Sequence, residues 1–389
     1  MQTYISRNIE EKVKKYLDIF PVVAILGPRQ CGKSTLVKKI GQKIKNFLYL
    51  DLESISDYRK LDDPELFLES NPDKVICLDE IQLKPELFPL IRSAVDKQRQ
   101  NGKLILLGSA SGKLLKQSSQ SLAGRIGYIE LSPFSQSEIS GLKNYKLEKH
   151  WLRGGYPESF LAKSNENSFI WRENFIKTFF ERDIPRLGIK IPSLQLRRFF
   201  LMLAHNQGQT LNSSKLAISL GLSHNTIRSY LDILEETFVA RTLAPFEANV
   251  KKRLVKSPKT YIRDVGVLHR LLEIKDFNSL LGNPIFGYSW EGFAIENILS
   301  EVKDWNGYFY RTASGNEIDL VLEKGDKIIA AEFKASKNPI LGKGFYLALE
   351  DIGASEAWVV IPTTDESFKI AKNITVSGIA DFSNYLQNT

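Results

Sequence analysis

The feature that most constrains this 389-residue chain is an eight-residue segment placed between an apolar run and a helical pattern. Residues 21–26 read PVVAIL, residues 27–34 read GPRQCGKS, and residues 33–44 continue as a helical pattern. The segment fits G-x4-G-K-[ST], in which glycines let backbone N–H groups turn inward while the helix N-terminus adds positive potential. A strand, such a loop and a helix in this order predict a phosphate-binding turn.

Further short apolar runs follow the first one, and helical patterns such as residues 86–100 separate them. This alternation predicts an α/β fold, with a parallel sheet covered by helices on both faces. After Pro133 the alternation stops and residues 136–205 read as helices. From about residue 285, a helix, two strands, a helix and another strand (357–361) predict a second α/β unit. The further apolar runs of the first unit lie at residues 47–51, 75–79, 104–107 and 127–131.

The side chains of the first loop predict its ligand. Lys33 is placed to reach the β- and γ-phosphates of a nucleotide, and the Ser34 hydroxyl is a ligand type for Mg²⁺. We therefore expect ATP and Mg²⁺ as cofactors. The residues expected to bind ATP are Gly27, Pro28, Arg29, Gln30, Cys31, Gly32, Lys33, Ser34 and Thr35.

Two adjacent acids, Asp79 and Glu80, end the apolar run VICLDE. The carboxyl end of a buried parallel strand faces the crevice in which such sheets bind ligands. We expect Asp79 to hold Mg²⁺ through water, and Glu80 to polarise the attacking water, which predicts hydrolysis rather than binding alone. Such a pair taken alone also fits a helix cap. Together with Lys33, the pair predicts an ATP hydrolase.

Ser109 and Arg125 are two further catalytic candidates, and each leaves a second interpretation open. Ser109 follows the run LILLG and fits either a sensor of the γ-phosphate or attacking water, or a plain turn. Arg125 precedes another apolar run, where an arginine is suited to stabilise transition-state charge, in cis or toward a neighbouring subunit. A surface arginine fits the same position.

These motifs and several others resemble one family, the predicted AAA+-superfamily ATPases of bacteria and archaea with a GPRQ-x-GK-[ST]-T loop. One departure is Leu107, which stands where that family usually has Thr. The resemblance covers essentially the whole chain. The segments that carry it are GPRQCGKST (27–35), CLDEIQ (77–82), GSASG (108–112), LAGR (122–125), LSPFSQSE (131–138), GGYPE (154–158) and ERDI (181–184).

The resemblance implies four parts of the chain. We expect an AAA+-like P-loop NTPase domain at 1–140 and a helical lid or linker at 141–190. A winged-helix-like basic domain at 191–275 and a small α/β nuclease-like domain at 276–389 would follow.

The basic charge of the chain is concentrated in its middle. The net charge is +8, and residues 186–275 hold fifteen Lys or Arg against six Asp or Glu. Residues 213–234 fit a helix-turn-helix, with Gly221 ending the first helix and Ser223 capping the second. Packing inside the protein fits such a module equally well, so contact with DNA is one of two interpretations. The side chains expected to face DNA are His224, Asn225, Arg228 and Ser229, with Lys251, Lys252, Arg253, Lys256 and Lys259 resembling a wing along the nucleic-acid backbone.

A second candidate metal site lies in the C-terminal third. Asp319, Glu332 and Lys334 resemble the PD-(D/E)xK nuclease pattern, because strand alternation puts Glu332 and Lys334 on one face. Glu291 is the preferred acid from the preceding helix, since it falls on the apolar stripe, whereas Glu296 is expected on the wetter side. These groups predict a possible second Mg²⁺ or Mn²⁺ for metal-assisted phosphodiester cleavage. Exposed strands also carry E-x-K by chance.

Three functions therefore fit the sequence. The leading one is an ATPase that couples its nucleotide state to the winged-helix and nuclease-like regions. The alternatives are an ATP-regulated DNA nuclease, and a nucleotide-switched DNA-binding regulator with little hydrolysis.

The location expected for the protein is the cytoplasm. Cys31 and Cys77 lack metal-ligand spacing to other Cys or His, which favours a reducing compartment. No run of about 18 uncharged apolar residues is present, so we expect no membrane span. Oligomerisation is left open.

Overall fold

The computed structural model describes residues 4–97, 99–109, 122–247, 252–363 and 365–389. The chain forms two compact units. The first comprises residues 1–134, 181–191 and 236–238. The second comprises residues 135–180, 192–235 and 239–389.

The first unit contains a parallel sheet formed by the predicted apolar runs. Among the described residues it has five strands in the order β2-β3-β4-β1-β5. Its middle strands are apolar on both faces: Val22 and Ala24 lie in one core cluster, and Val23 and Ile25 lie in the other. Burial on both faces is what a parallel sheet between helical layers requires. The strands are β1 (Val22–Leu26), β2 (Phe47–Asp51), β3 (Val75–Asp79), β4 (Leu104–Gly108) and β5 (Ile126–Glu130).

Short helices connect these strands, and the amphipathic helix Leu87–Lys97 illustrates why they form. Its buried side chains, Leu87, Phe88, Ile91 and Val95, recur at the three- and four-residue spacing of one helix face. The described helices of this unit are Glu10–Ile19, Lys33–Gly41, Ile55–Arg59, Pro64–Glu69, Leu87–Lys97 and Ile184–Arg186, with a 3-10 turn at Ile81–Leu83.

The second unit contains a mixed sheet. Among its described residues the strand order is β13-β14-β12-β11-β10-β9-β7-β8-β6. Strands β9, β10 and β11 are antiparallel neighbours, whereas β12 runs parallel to β11. The hairpin β7–β8 joins this sheet because β7 pairs in parallel with β9. The strands are β6 (Gln209–Thr210), β7 (Ala240–Pro245), β8 (Lys259–Ile262), β9 (Asn306–Arg311), β10 (Glu317–Lys324), β11 (Lys327–Phe333), β12 (Glu356–Val360), β13 (Phe368–Ala371) and β14 (Ile374–Ser377).

The helices of the second unit include the predicted helix-turn-helix pair, Ser213–Leu220 and His224–Glu236. Gly221 has a φ of 65°, so it ends the first helix in the left-handed conformation. The Ser223 hydroxyl accepts a hydrogen bond from the Thr226 N–H at 3.1 Å. The other helices are Gln136–Ile139, Leu147–Arg153, Pro157–Phe160, Asn165–Thr178, Ser193–His205, Val265–Leu271, Phe277–Leu281, Phe286–Glu301, Lys343–Ile352 and Ile379–Gln387. A π-helical turn at Phe179–Asp183 begins in this unit and ends in the first.

The GGYPE motif has a structural role in this unit. Gly154 has a φ of 74°, and a Cβ atom there would lie 2.2 Å from Asp264 Oδ1. The next residue, Gly155, donates its N–H to Asp264 Oδ2 at 2.8 Å. Only glycine allows this left-handed backbone to approach the carboxylate so closely.

One further property concerns membranes. Within the described ranges, no helix is both long enough and apolar enough to cross a bilayer.

Candidate nucleotide site and C-terminal carboxylate cluster

The predicted phosphate loop connects β1 to the helix Lys33–Gly41. A Cβ atom on Gly27 would lie 2.1 Å from the Leu131 carbonyl oxygen, so this position requires glycine. Gly32 has a φ of 101°, a conformation that glycine adopts without strain. Gly27 therefore allows the start of the turn to lie close to the Leu131 carbonyl group, and Gly32 allows the left-handed backbone at the end of the turn.

Lys33 begins the helix and is buried, with 5% of its surface exposed. Its ammonium group donates hydrogen bonds to the carbonyl oxygens of Gly27 and Pro28, both at 2.8 Å. The Lys33 side chain therefore folds back over the phosphate loop and contacts backbone carbonyl groups at the start of that loop.

Ser34 and Asp79 come together, as the sequence predicts for a shared metal site. Ser34 Oγ donates to Asp79 Oδ2 at 2.5 Å, and the Tyr49 hydroxyl donates to the same oxygen. Burial and the Asp79 carboxylate both raise the pKa of Tyr49. Hydroxyl and carboxylate oxygens are the donors that Mg²⁺ prefers, so Ser34 and Asp79 fit this ion. Tyr49 was not singled out in the sequence, where it is one aromatic residue in a strand.

Glu80 follows β3 in a left-handed conformation, with a φ of 56°. Few non-glycine residues adopt it, and such strain is often found at functional sites. Gln82 donates to Glu80 Oε2, and Ser109 Oγ lies 3.5 Å from the same oxygen. Ser109 is thus beside the carboxylate that the sequence predicts to act on water.

Arg29 joins the loop to acids from distant parts of the sequence. Its guanidinium group is paired with Asp183, with Glu53 at 2.6 Å and with Glu80 at 3.5 Å. Burial alone would lower the pKa of Arg29, but the Glu80 and Asp183 carboxylates raise it above its ordinary value. Asp183 belongs to the ERDI motif, and sequence analysis gave it no role. Its position 154 residues from Arg29 offers no local signal.

The remaining candidates of this unit lie in three different settings. Cys31 is fully buried and its thiol lies 3.4 Å from the Leu131 carbonyl oxygen, whereas Gln30 and Thr35 are exposed. Arg125 is paired with Asp96, from Nε to Oδ1 at 2.5 Å, within its own chain. The GSASG segment extends beyond residue 109, so its last three residues fall outside the described ranges.

The C-terminal candidates converge, with one residue that sequence analysis placed elsewhere. Lys259 Nζ lies 3.0 Å from Glu291 Oε1, 2.7 Å from Glu317 Oε1 and 3.2 Å from Asp319 Oδ1. The prediction that Lys259 lies along a nucleic-acid backbone is wrong, because only 1% of its surface is exposed. A lysine in a basic run is typical of a solvated face, and only the fold brings the acids to it.

Glu332 and Lys334 form a pair beside this group, from Oε1 to Nζ at 2.7 Å. Burial and Asp319 raise the pKa of Glu332 to about 8, and burial and Asp319 raise that of Glu291 to about 7. Among the residues that the structure describes, no group of three or more His, Cys, Asp or Glu side chains is arranged to hold a metal ion. The carboxylates do not fit a resident metal as they stand, because the Lys259 ammonium group lies within 3.2 Å of an oxygen of Glu291, Glu317 and Asp319.

Glu296 lies on the wetter side of its helix, as the sequence predicts. It is partly exposed, as is Ser300, whereas Glu291 is buried. Its side chain is paired with Arg241 and, at 2.9 Å, with Arg263, two partners that the sequence does not identify. Burial would raise the pKa of Glu296, but the two arginines lower it.

The predicted DNA-facing side chains are mixed in their exposure and pairing. His224, Asn225 and Arg228 are exposed at the start of the second helix of the pair. Lys252 Nζ is held by Asp351 at 2.5 Å, and Arg253 is exposed. Lys251 lies outside the described residues.

Three family models match separate parts of the chain. Residues 20–140 match an AAA domain, which agrees with the parallel sheet and phosphate loop described above. Residues 144–278 match the domain of unknown function DUF8612, and residues 286–382 match the domain of unknown function DUF4143. The first unit thus carries an AAA domain of the P-loop ATPase type.

Curated relatives match most of the chain. It is 40% identical over 356 residues to the uncharacterized protein Rv2008c of Mycobacterium tuberculosis, covering 92% of this chain and 80% of the relative. The uncharacterized protein Mb2031c of Mycobacterium bovis matches to the same extent. An uncharacterized protein of Haemophilus influenzae is 26% identical over 363 residues, covering 84% of this chain and 85% of the relative.

Solved structures show only a distant likeness. The Walker-type ATPase PABY2304 of Pyrococcus abyssi matches with a TM-score of 0.44 and 18% identity, covering 69% of this chain and 96% of that chain. RuvB of Thermotoga maritima matches with a TM-score of 0.27 and 17% identity, covering 60% and 88%.

Proposed function

This chain belongs to the same family as Rv2008c of Mycobacterium tuberculosis and carries an AAA domain, and on that premise we propose that it is a Mg²⁺-dependent ATP hydrolase. The hydrogen bond from Ser34 Oγ to Asp79 Oδ2, at 2.5 Å, carries the proposal. It brings the helix start after β1 to the carboxyl end of β3, which is where α/β sheets bind their ligands.

The loop would bind the phosphates through backbone N–H groups and Lys33. Lys33 already lies over the loop, with its ammonium group 2.8 Å from the Gly27 and Pro28 carbonyl oxygens. Binding requires this group to exchange those carbonyls for phosphate oxygens, a stronger interaction because both partners are charged. The helix N-terminus at Lys33 contributes further positive potential.

Ser34 and Asp79 would hold the ion. When it is bound, Mg²⁺ neutralises negative charge on the phosphates during transfer. The Ser34 hydroxyl would present a lone pair to the ion, since its O–H and not its lone pairs makes the hydrogen bond to Asp79, and the donation from Tyr49 would fix the orientation of the Asp79 carboxylate.

Glu80 would orient the attacking water and accept its proton. Gln82 donates to its carboxylate, and Ser109 lies beside the same oxygen, so the side chain is held in one direction. Glu80 follows the last residue of β3 directly, so the acid lies at the carboxyl end of that strand.

Replacing Glu80 by Gln tests this role. We expect Glu80→Gln to bind ATP with wild-type affinity and to hydrolyse it about 100-fold more slowly or worse, since a general base is lost. Binding by calorimetry and phosphate release measure the two effects. The exposed Glu86→Gln variant is the control and should keep full turnover. Turnover in Glu80→Gln comparable to wild type would remove Glu80 from the mechanism.

We further propose that the second unit includes a winged helix that contacts DNA. After the helix Ser193–His205, the described chain forms β6, the helix-turn-helix pair and the antiparallel hairpin β7–β8, and β6 pairs with β8. The exposed side chains of His224, Asn225 and Arg228 support the proposal, since they start the helix that would meet a groove. Contact with backbone phosphates is favoured over base reading.

DNA binding at several salt concentrations tests this second proposal. Arg228→Ala should weaken binding similarly for unrelated sequences and reduce the salt slope by about 1, because one phosphate contact is lost. The exposed Lys372→Ala variant is the control. An unchanged affinity and slope in Arg228→Ala would favour packing or protein binding as the role of this module.

An ATP-regulated nuclease is the remaining alternative. It requires a divalent cation among Glu291, Asp319 and Glu332, where the ammonium group of Lys259 already pairs with two of the three. We therefore do not adopt it, and we treat the C-terminal α/β part as nuclease-like in fold alone.

A further inference from the structure

Two segments of the second unit place three carboxylates around an amine from a third segment. Lys259 begins β8, Glu291 comes from the helix Phe286–Glu301, and Glu317 and Asp319 come from β10. The three carboxylate oxygens lie between 2.7 and 3.2 Å from Lys259 Nζ. The amine is buried, so solvent has almost no access to it.

The ammonium group pairs with one oxygen of each of the three acids. It has three N–H donors, and three carboxylate oxygens lie at hydrogen-bond distance from it. A positive charge surrounded by three carboxylates in a low-dielectric site stays protonated and is held strongly. Moving it out would leave the buried Glu291 and the partly buried Asp319 and Glu317 without this counter-charge, which is unfavourable.

Several of the oxygens that a divalent cation would need are already used, although Glu332 Oε2 has no hydrogen-bond partner among the described residues. Asp319 Oδ1 faces Lys259, while Asp319 Oδ2 accepts the Phe333 N–H at 3.1 Å. Glu332 Oε1 accepts from Lys334 Nζ, and the Tyr261 hydroxyl donates to Glu291 Oε1 at 2.6 Å. A Mg²⁺ or Mn²⁺ ion bound by Glu291 Oε1 and Asp319 Oδ1 would have to displace the lysine first, since both oxygens already accept hydrogen bonds from its ammonium group.

We propose that the ammonium group of Lys259 fills the position that a divalent cation takes in a metal-dependent nuclease, so that the C-terminal cluster holds no catalytic metal. The cluster then has a structural role, because its ion pairs connect β8 to the helix Phe286–Glu301 and to β10. The inference goes beyond ATP hydrolysis, because it concerns a different site in the other unit. It is independent of whether the hairpin β7–β8 contacts DNA.

Binding of Mn²⁺ to the full-length chain tests the proposal, with free Mn²⁺ followed by electron paramagnetic resonance. All proteins carry Asp79→Asn, which removes the proposed metal ligand of the nucleotide site, and no nucleotide is added. We expect this parent to bind no Mn²⁺ and its melting temperature not to change with Mn²⁺. Adding Lys259→Met should create a site for one Mn²⁺ per chain, with a melting temperature that rises with Mn²⁺.

A third protein, with Lys259→Met and Asp319→Asn together, is the matched control and should lose the new site. Mn²⁺ bound by the parent and lost on Asp319→Asn alone would overturn the proposal. A folded Lys259→Met protein that binds no Mn²⁺ would also overturn it, because the cluster would then not be a cation site. If Lys259→Met does not fold, the parent and its Asp319→Asn variant decide, since absence of a cluster-dependent site in the parent is the predicted result.

Discussion

At the scale of single residues, Arg29 connects the phosphate loop to the rest of its unit. Its guanidinium group lies among Asp183, Glu53 and Glu80, and little of its side chain is exposed. A planar group with five donors can serve several carboxylates at once, which a lysine at this position could not do. Gly27 and Gly32 determine the conformation of the loop itself. The ion pairs of Arg29 connect this loop to acids elsewhere in the same unit.

Replacing Asp183 by Asn measures the strength of that attachment. We expect the free energy of unfolding of the first unit to fall by about 2 kcal/mol, since Arg29 loses a buried charged partner. Thermal unfolding reads the change, and hydrogen exchange of residues 181–191 should speed up. Arg186 pairs with Glu53 at 2.7 Å but is half exposed, so Arg186→Ala is the control and should cost much less. Equal losses in the two variants would contradict this account.

Residues were predictable from the sequence where a local pattern carries the chemistry. Lys33, Ser34 and Asp79 are defined by neighbours in sequence, and the structure brings Ser34 and Asp79 within hydrogen-bond distance. Asp183 and Lys259 were not predictable, because their partners lie far along the chain. The sequence around each residue does not identify these distant partners, so the ion pairs are visible only in the fold.

At the scale of elements, His269 connects three helices of the second unit through hydrogen bonds. It lies in the helix Val265–Leu271; its Nδ1 is 2.9 Å from the Leu152 carbonyl oxygen and its Nε2 is 2.7 Å from Ser289 Oγ. Trp151 donates to the same hydroxyl at 2.8 Å. Burial lowers the pKa of His269 to about 3, with the charge of Arg172 acting in the same direction. The helices are therefore joined by a neutral imidazole.

Acid should weaken this junction. The pKa of His269 is lower in the folded than in the unfolded state, so its contribution is complete above about pH 6.5 and is lost as pH falls toward 3. Between pH 7 and 5 we expect the free energy of unfolding to fall by about 2 kcal/mol through this residue. Thermal or denaturant unfolding of wild type and His269→Gln measures the difference in pH dependence. The exposed His205→Gln is the control, and identical pH dependence in wild type and His269→Gln would contradict the assignment.

Elements were predicted best where they are long or fully apolar. The runs of the first unit correspond to β1 through β5 within about a residue, because a strand buried on both faces is an unbroken apolar stretch. In the second unit three strands, not two, follow the helix Phe286–Glu301, and the β13–β14 pair was missed. All four residues of β13 are exposed, so it lacks the alternation that marks a strand. The pairing of β7 with β9 joins distant segments and leaves no local signal.

At the scale of the whole molecule, each of the two units is built from stretches of chain that are not consecutive in sequence. Residues 181–191 and 236–238 belong to the first unit, although the residues between and around them belong to the second. The ERDI motif therefore supplies Asp183 to the nucleotide-site unit. A motif late in the sequence can thus serve an early unit, which hydrophobic patterning cannot reveal because it reports only local burial.

Binding of ATP to wild type and Lys33→Ala is the measurement that tests the central claim most directly. Calorimetry with Mg²⁺ and ATP should show binding by wild type and a loss of about 30-fold or more in Lys33→Ala, since the charged contacts to phosphate are removed. Lys39→Ala changes an exposed lysine of the same helix and should bind as wild type does. Wild-type affinity in Lys33→Ala would contradict the account of the phosphate loop.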